Sequence, residues 1–392
     1  MINRLVNAYE SDIIQTRRYL HQFPEPSWEE YETSKFIQKE LDQLGIKYKS
    51  IAGTGIVATI EGKNPGKVVA LRADMDALAV QEENDIFYKS KNDGVMHACG
   101  HDGHMSMLLG AAKVLVEMID HINGTIKLLF QPAEERIEGA KRMIKEGAID
   151  DVDGILGIHL WADLPTGTIN CESGPRMASG DYIVIDIEGS GGHGSMPHQC
   201  VDPAVVAASF MLNVQAMTTR ETNPLMPLVF TFGEVSCGTR YNVISDKAHL
   251  EGTVRCFEPD IRENLEEQIT RYGENIAKAY RAKFQLEFNK GTPPTINDPK
   301  IVELVESTIL NYLDSEALIT MKKTTGSEDM AYYLKEIPGA IAFVGCKNSD
   351  KKADFPHHHP KFNIDEDSLK IGTNLYVRFA INFLNNENNG LY

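Results

Sequence analysis

Four short apolar runs stand out in this chain, the first of them too apolar to leave one face in water. They are Val68-Val69-Ala70-Leu71, Thr125-Ile126-Lys127-Leu128-Leu129-Phe130, Gly154-Ile155-Leu156-Gly157-Ile158 and Ala340-Ile341-Ala342-Phe343-Val344. Strands covered on both faces read this way in parallel sheets, whereas half-exposed strands alternate. Apolar residues at helical spacing, such as Met105, Leu108, Leu109, Ala112, Leu115, Val116 and Ile119, supply a crossover helix. The expectation is an α/β fold. A further strand is expected over residues 55–60. Residues 1–45 read as helical, broken at Pro24 and Pro26 and stopped at Gly45.

The middle of the chain changes period. Residues 182–188 alternate apolar and polar, and Asp202-Pro203 opens an apolar helix through Met217. Strands at 228–232 and 248–254, a helix at about 260–282 and a strand at 284–288 complete the order β-α-β-β-α-β, that of a ferredoxin-like α+β unit. This divides the chain into a discontinuous domain, 1–180 plus 291–392, and an inserted domain, 181–290. The polar tail from Asn385 to Tyr392 is expected to fray.

Each apolar run delivers chemistry near its end. The first leads into Arg72-Ala73-Asp74-Met75-Asp76 and the second into Gln131-Pro132-Ala133-Glu134-Glu135. The third is expected to end at His159, and the fourth precedes a loop with His357, His358 and His359. Ligands bind in the crevice beyond the carboxyl ends of such strands. Singly, these are a solvated turn, a core histidine and a surface loop. Together they point to one metal site shared with Met96-His97-Ala98-Cys99-Gly100-His101-Asp102-Gly103-His104, which opens the crossover helix. Imidazole and thiolate suit Zn, Co, Mn or Ni.

Cys99 and His101 stand two apart, so an extended segment would point both the same way, at one shared ion or at one ion each. So many ligands exceed the need of one four-coordinate ion, which favours two ions bridged by thiolate or carboxylate. Paired Glu134 and Glu135 allow one carboxylate to ligate while the other takes a proton from activated water. A rival reading, Cys99 as a nucleophile with a histidine base, leaves Glu134, Glu135 and His159 without a role. His97, His104 and His21 read as supporting residues.

The net charge of −17 argues against nucleic acid as a partner. No run approaches the roughly 18 apolar residues of a membrane span, and residues 1–7 have no signal-peptide core, so the expected setting is cytoplasmic. The six cysteines are scattered and expected to be reduced.

The motifs Leu71-Arg72-Ala73-Asp74-Met75-Asp76-Ala77-Leu78, His97-Ala98-Cys99-Gly100-His101-Asp102-Gly103-His104 and Gln131-Pro132-Ala133-Glu134-Glu135 occur in this order. Gly192-His193-Gly194-Ser195-Met196-Pro197-His198, Asn242-Val243-Ile244, Gly326-Ser327-Glu328-Asp329 and His358-His359-Pro360-Lys361-Phe362 follow. Over essentially its whole length the chain resembles the aminoacylase and carboxypeptidase family of dinuclear metallopeptidases. Within it, the likeness is to the amidohydrolase subfamily of N-acyl-amino-acid deacetylases, hippurate hydrolases and indole-acetyl-amino-acid hydrolases. The resemblance implies a zinc-peptidase-like catalytic domain on a mixed sheet and makes the inserted domain a lid and dimerisation domain of a homodimer or tetramer. It implies two divalent ions per subunit, Mn or Zn first and Co or Ni next, on Cys99, His101, Glu135, His159 and His358.

The same resemblance makes Glu134 the general base, Asp76 an orienting aspartate, and His193 the group that polarises the scissile carbonyl, often across a dimer. Asn242 would contact the substrate carboxylate, with Gly326 and Ser327 also at the substrate. The implied reaction is hydrolysis of an N-acyl-L-amino acid carrying an acetyl, benzoyl or similar acyl group. Alternatives are a dipeptidase or broad aminoacylase, and a binding protein that kept its metal. The chain departs from the family at Arg136-Ile137-Glu138, where glycines are common, and at Ser245, where Pro is usual. Both departures bear on acyl-group and side-chain preference.

Overall fold

The computed structural model describes residues 1–385; the rest of the polar tail lies outside the described residues. The chain folds as two compact units. The first comprises Met1–Gly174, Ile296–Lys322 and the described part of the chain from Asp329 onward. The second comprises Pro175–Thr295 and Lys323–Glu328.

The first unit is built on a seven-stranded mixed sheet. Its order is Lys47–Ile51, Gly55–Glu61, Asn123–Gln131, Asn64–Asp74, Gly154–Pro165, Gly339–Lys347 and Ile169–Asn170. All four runs fall in its centre. Asn64–Asp74 pairs in parallel with both Asn123–Gln131 and Gly154–Pro165, which pairs in parallel with Gly339–Lys347. The flanking pairs are antiparallel.

Alternate residues of these strands face two covers. Leu71, Leu128, Leu156, Ile158 and Val344 belong to one large apolar core with residues of the helices Ile2–Gln22, His101–Glu117, Pro299–Leu310 and Asp367–Asn385. The short helices Gly139–Lys145 and Met330–Glu336 cover positions facing the other way, such as Gly157, where a Cβ would meet Met330. Among the described residues no helix is long and apolar enough to cross a membrane.

Two expectations need correction. The strand bearing His159 does not stop there but runs on to Pro165, because Leu160, Ala162 and Leu164 continue a buried alternation past it. Cys99 and His101 are not in an extended segment either. Gly100 is left-handed (φ +92°) and caps the helix that starts at His101. A residue with a Cβ enters that region only with strain.

The second unit pairs its strands Leu228–Cys237, Lys247–Cys256, Gly180–Glu188 and Lys283–Thr292 in that order, all antiparallel. With the helices Pro203–Ala216 and Pro259–Tyr280 between them, this is the split β-α-β arrangement of a ferredoxin-like sheet. Asp202 caps the first helix by accepting from the Ala204 N–H. The segment Lys323–Glu328 belongs here because Ala178 N–H donates to Thr324 O (3.2 Å) and Gly326 O (3.0 Å).

Arg17 and Arg72 are among the largest fully buried side chains. Arg17 donates to Asp102 Oδ2 (2.8 Å) and Asn363 Oδ1 (3.1 Å), and Asp102 also takes His21 Nδ1 at 2.8 Å. Burial pushes the Asp102 carboxyl up, but Arg17 and His21 outweigh it and hold the carboxyl well below its usual range. Arg17→Met therefore leaves a dry, half-compensated carboxylate and should cost about 3–5 kcal/mol in urea unfolding. A depressed acid stabilises the fold above its unfolded pKa of about 4 and loses that contribution as pH falls. Asp102→Asn should flatten the acid limb of stability against pH.

Candidate metal centre

The parallel strands end side by side, with Asp74 in register with Gln131. Beyond these ends lies Asp76, almost wholly buried. Its Oδ1 accepts the Glu134 N–H and its Oδ2 the Glu135 N–H, each at 3.0 Å, and Ser27 Oγ donates to Oδ2 at 2.6 Å. One carboxylate thus fixes the peptide that carries both glutamates. The Asp76 carbonyl accepts from His101 Nδ1 at 2.8 Å, so Nδ1 keeps its proton and Nε2 is the nitrogen free to give one up to an ion. His159 is set the same way: Nδ1–H donates to Leu160 O at 2.6 Å.

These bonds turn the Nε2 atoms of both rings toward a common space. Cys99 Sγ lies 3.6 Å from His159 Nε2. Glu135 Oε1 lies 3.5 Å from His358 Nε2 and 3.9 Å from His101 Nε2. Donor atoms of Cys99, His101 and His159 fall within 4.8 Å of one another, as do those of Cys99, Glu135 and His358 and those of His101, Glu134 and Glu135. His358 reaches this group from far along the chain: its N–H donates to Ala98 O at 2.8 Å, and its backbone is left-handed (φ +65°).

Of the neighbouring histidines, His357 accepts from the Ala162 N–H at 3.1 Å and packs edge-on to His159. Burial and His358 push it down to about 3. His104 bonds Asp74 and Leu160. His97 is buried, makes no ring hydrogen bond among the described residues, and is pushed by burial down to about 4.

Electrostatically the space favours a cation. Burial alone would lower His101, yet Asp74, Asp76 and Glu135 together push it up to about 10. Burial raises Glu135 to about 7, aided by Asp76 and Asp74 and opposed by His101. His101 Nε2 and Glu135 Oε1 are buried without a hydrogen-bond partner among the described residues. Buried polar atoms are rarely left so unless a ligand or ion satisfies them.

Seven residues singled out in the sequence (Asp76, Cys99, His101, Glu134, Glu135, His159 and His358) are therefore gathered in the first unit. His193 and Asn242 lie together in the second unit: His193 pairs in register with Val243, and Gly194 N–H donates to Asn242 O at 2.9 Å. Ser327 Oγ accepts from Arg255 at 3.4 Å there. Ser27, Arg72, Gln131 and Asp329 were not read as site residues. The alternation of Arg72 and Asp74 along one strand was the available signal for Arg72.

A buried pocket of thiol, imidazole and carboxylate at the carboxyl ends of a parallel sheet is the frame of a metal-dependent amidohydrolase. Residues 70–382 match the model for peptidase family M20/M25/M40, and the chain belongs to that family. It is 39% identical to thermostable carboxypeptidase 1 of Saccharolobus solfataricus, over 97% of each chain. It is 40% identical to N-acetyl-L-cysteine deacetylase of Bacillus subtilis, over 93% of this chain and 86% of that one. Among solved structures, the Bacillus subtilis YXEP protein, described as a dinuclear metal-binding peptidase of the M20 family, superposes with a TM-score of 0.86. It is 33% identical, with 96% of this chain and 99% of that one covered.

The Asp76 contacts give a direct expectation. In Asp76→Asn an amide N–H must face the N–H of Glu134 or Glu135, a loss of about 1–3 kcal/mol that urea unfolding should register.

Proposed function

We propose that this enzyme hydrolyses the amide of N-acyl-L-amino acids, with two divalent ions held by Cys99, His101, Glu135, His159 and His358. The observation that carries the reading is the donor cluster. Two atoms bound at about 2.1 Å to a tetrahedral ion stand about 3.4 Å apart, close to the 3.5, 3.6 and 3.9 Å separations of these donors. The partnerless atoms His101 Nε2 and Glu135 Oε1 fit the same ions. Such ions polarise an amide carbonyl and make water a competent nucleophile near neutral pH.

Glu134 stands outside that ligand set, beside it, with its backbone clamped by Asp76. It removes the proton from the attacking water and returns it to the leaving amine nitrogen. His193 supplies the oxyanion donor. Ser195 N–H donates to its Nδ1 at 3.1 Å, which puts the ring proton of the neutral form on Nε2. Asn242, beside it, binds the substrate carboxylate, with Gly326 and Ser327 contributing. The second unit acts as lid and homodimer interface. The two named relatives support the substrate class: a carboxypeptidase and an N-acetyl-L-cysteine deacetylase both cleave an acyl–nitrogen bond to an amino acid. The carboxypeptidase likeness also favours a second reading, a broad aminoacylase or dipeptidase.

The deciding screen strips the enzyme with chelator, restores Mn, Zn, Co or Ni, and offers acetyl-, benzoyl- and indole-acetyl-amino acids. Turnover with none of them overturns the reading. Glu134→Ala should keep its metal and lose about 10²–10⁴ in kcat, while Cys99→Ala should lose metal by elemental analysis. Because the neighbouring carboxylates push His101 up, burial pushes Glu135 up, and a thiol ligates as its thiolate, ion uptake should expel protons from the ligands. Apparent affinity should therefore rise by at least about tenfold per pH unit between about pH 6 and 9, checked by calorimetry in buffers of different ionisation enthalpy.

A further inference from the structure

Arg72 is about 1% exposed, on a strand whose other residues facing the same way include Ala70. A buried ion pair gains little stability over well-packed apolar residues of the same volume. The bonds it makes show what it holds. Nε donates to Gln131 Oε1 (2.9 Å), Nη1 to Asp74 Oδ2 (2.8 Å) and Nη2 to Asp329 Oδ1 (2.8 Å). The guanidinium fork is rigid and planar, so these partners are fixed relative to one another.

Each carboxylate begins an arm. Asp329 is held further by Gln131 Nε2 at 2.8 Å to both oxygens and by the Ala140 N–H at 3.0 Å. With its side chain immobilised, its own N–H points at Glu134 Oε1, 3.5 Å away. Hydrogen bonds of this kind are often long before substrate binds. On the other arm, Asp74 Oδ1 accepts from His104 Nδ1 (2.6 Å), which leaves His104 Nε2 to accept the Leu160 N–H (2.8 Å). The carbonyl of Leu160 in turn takes the His159 Nδ1 proton. One peptide unit apart, the arm therefore ends on the proton that fixes the His159 tautomer.

We propose that Arg72 is a positioning residue serving two sites at once: through Asp329 it orients the Glu134 carboxylate, and through Asp74, His104 and Leu160 it orients the His159 ring. The first arm rests on the reading of Glu134 as general base. The second needs only that His159 binds a metal ion. All of these residues lie within the first unit.

The arms are separable by substitution. Asp329→Asn keeps the shape but turns an amide toward the Gln131 and Ala140 donors. It should lower kcat about 10–100-fold, with KM and the Mn(II) dissociation constant within about twofold of wild type. In a Glu134→Ala background the same change should have no further effect on the residual rate. His104→Asn keeps a donor for Asp74 and loses the acceptor for Leu160. It should weaken Mn(II) binding about 10–100-fold by calorimetry, a readout independent of turnover. Arg72→Lys, which keeps charge but not the fork, should show both effects.

Normal kcat in Asp329→Asn, or an equal loss with and without Glu134, overturns the first arm. Unchanged Mn(II) affinity in His104→Asn overturns the second. If Arg72→Lys fails to fold, the other two variants still decide. Should the reconstituted wild-type enzyme turn over no N-acyl amino acid, the functional reading fails, while the Mn(II) measurement still tests the second arm.

Discussion

The site depends on the carboxylate of Asp76. Two consecutive peptide N–H groups, those of Glu134 and Glu135, end on its two oxygens, so the backbone that carries both glutamates is held at two points. The carbonyl of the same residue holds the Nδ1 proton of His101. Burial alone would push this acid up, yet its hydrogen bonds from His101 and Ser27 and the nearby His101 charge keep it below its usual value. A residue that is charged, dry and fully bonded has little freedom to move, and neither do the groups hung on it.

Two arginines extend the same principle outward. Arg17 braces the helix that starts at His101 by way of Asp102, and Arg72 braces the strand ends by way of Asp74 and Asp329. The centre is thus surrounded by ion pairs excluded from water, where interactions are stronger and misplacement costs more. That arrangement suits chemistry in which reacting groups must stand within a fraction of an ångström of their working positions.

Much of this was readable in the chain because the relevant signals are local. Uniformly apolar runs announce buried parallel strands, and their positions marked the end of the sheet where acids and imidazoles collect. Helix breaks at Pro24 and Pro26, and the capping Asp202-Pro203 pair, obey short-range rules. Other features were hidden for physical reasons. Nothing near His159 marks the strand as continuing, since the alternation that carries it to Pro165 begins only after the histidine. Gly100 was visible as a glycine, but not its left-handed turn, which swings His101 onto a helix. The partnership of Arg72 with Asp329 spans 257 positions, and no spacing rule encodes it.

The backbone bond between His358 and Ala98 has a consequence for biogenesis. The strand Gly339–Lys347, which pairs beside Gly154–Pro165, is made only after the whole second unit has been synthesised. A growing polypeptide therefore displays Cys99, His101 and Glu135 long before the residue that closes the ring around them exists. Loop closure over such a separation is slow and entropically costly. Both the cluster and the central sheet are completed by residues that lie after the second unit in sequence, His358 for one and Gly339–Lys347 for the other.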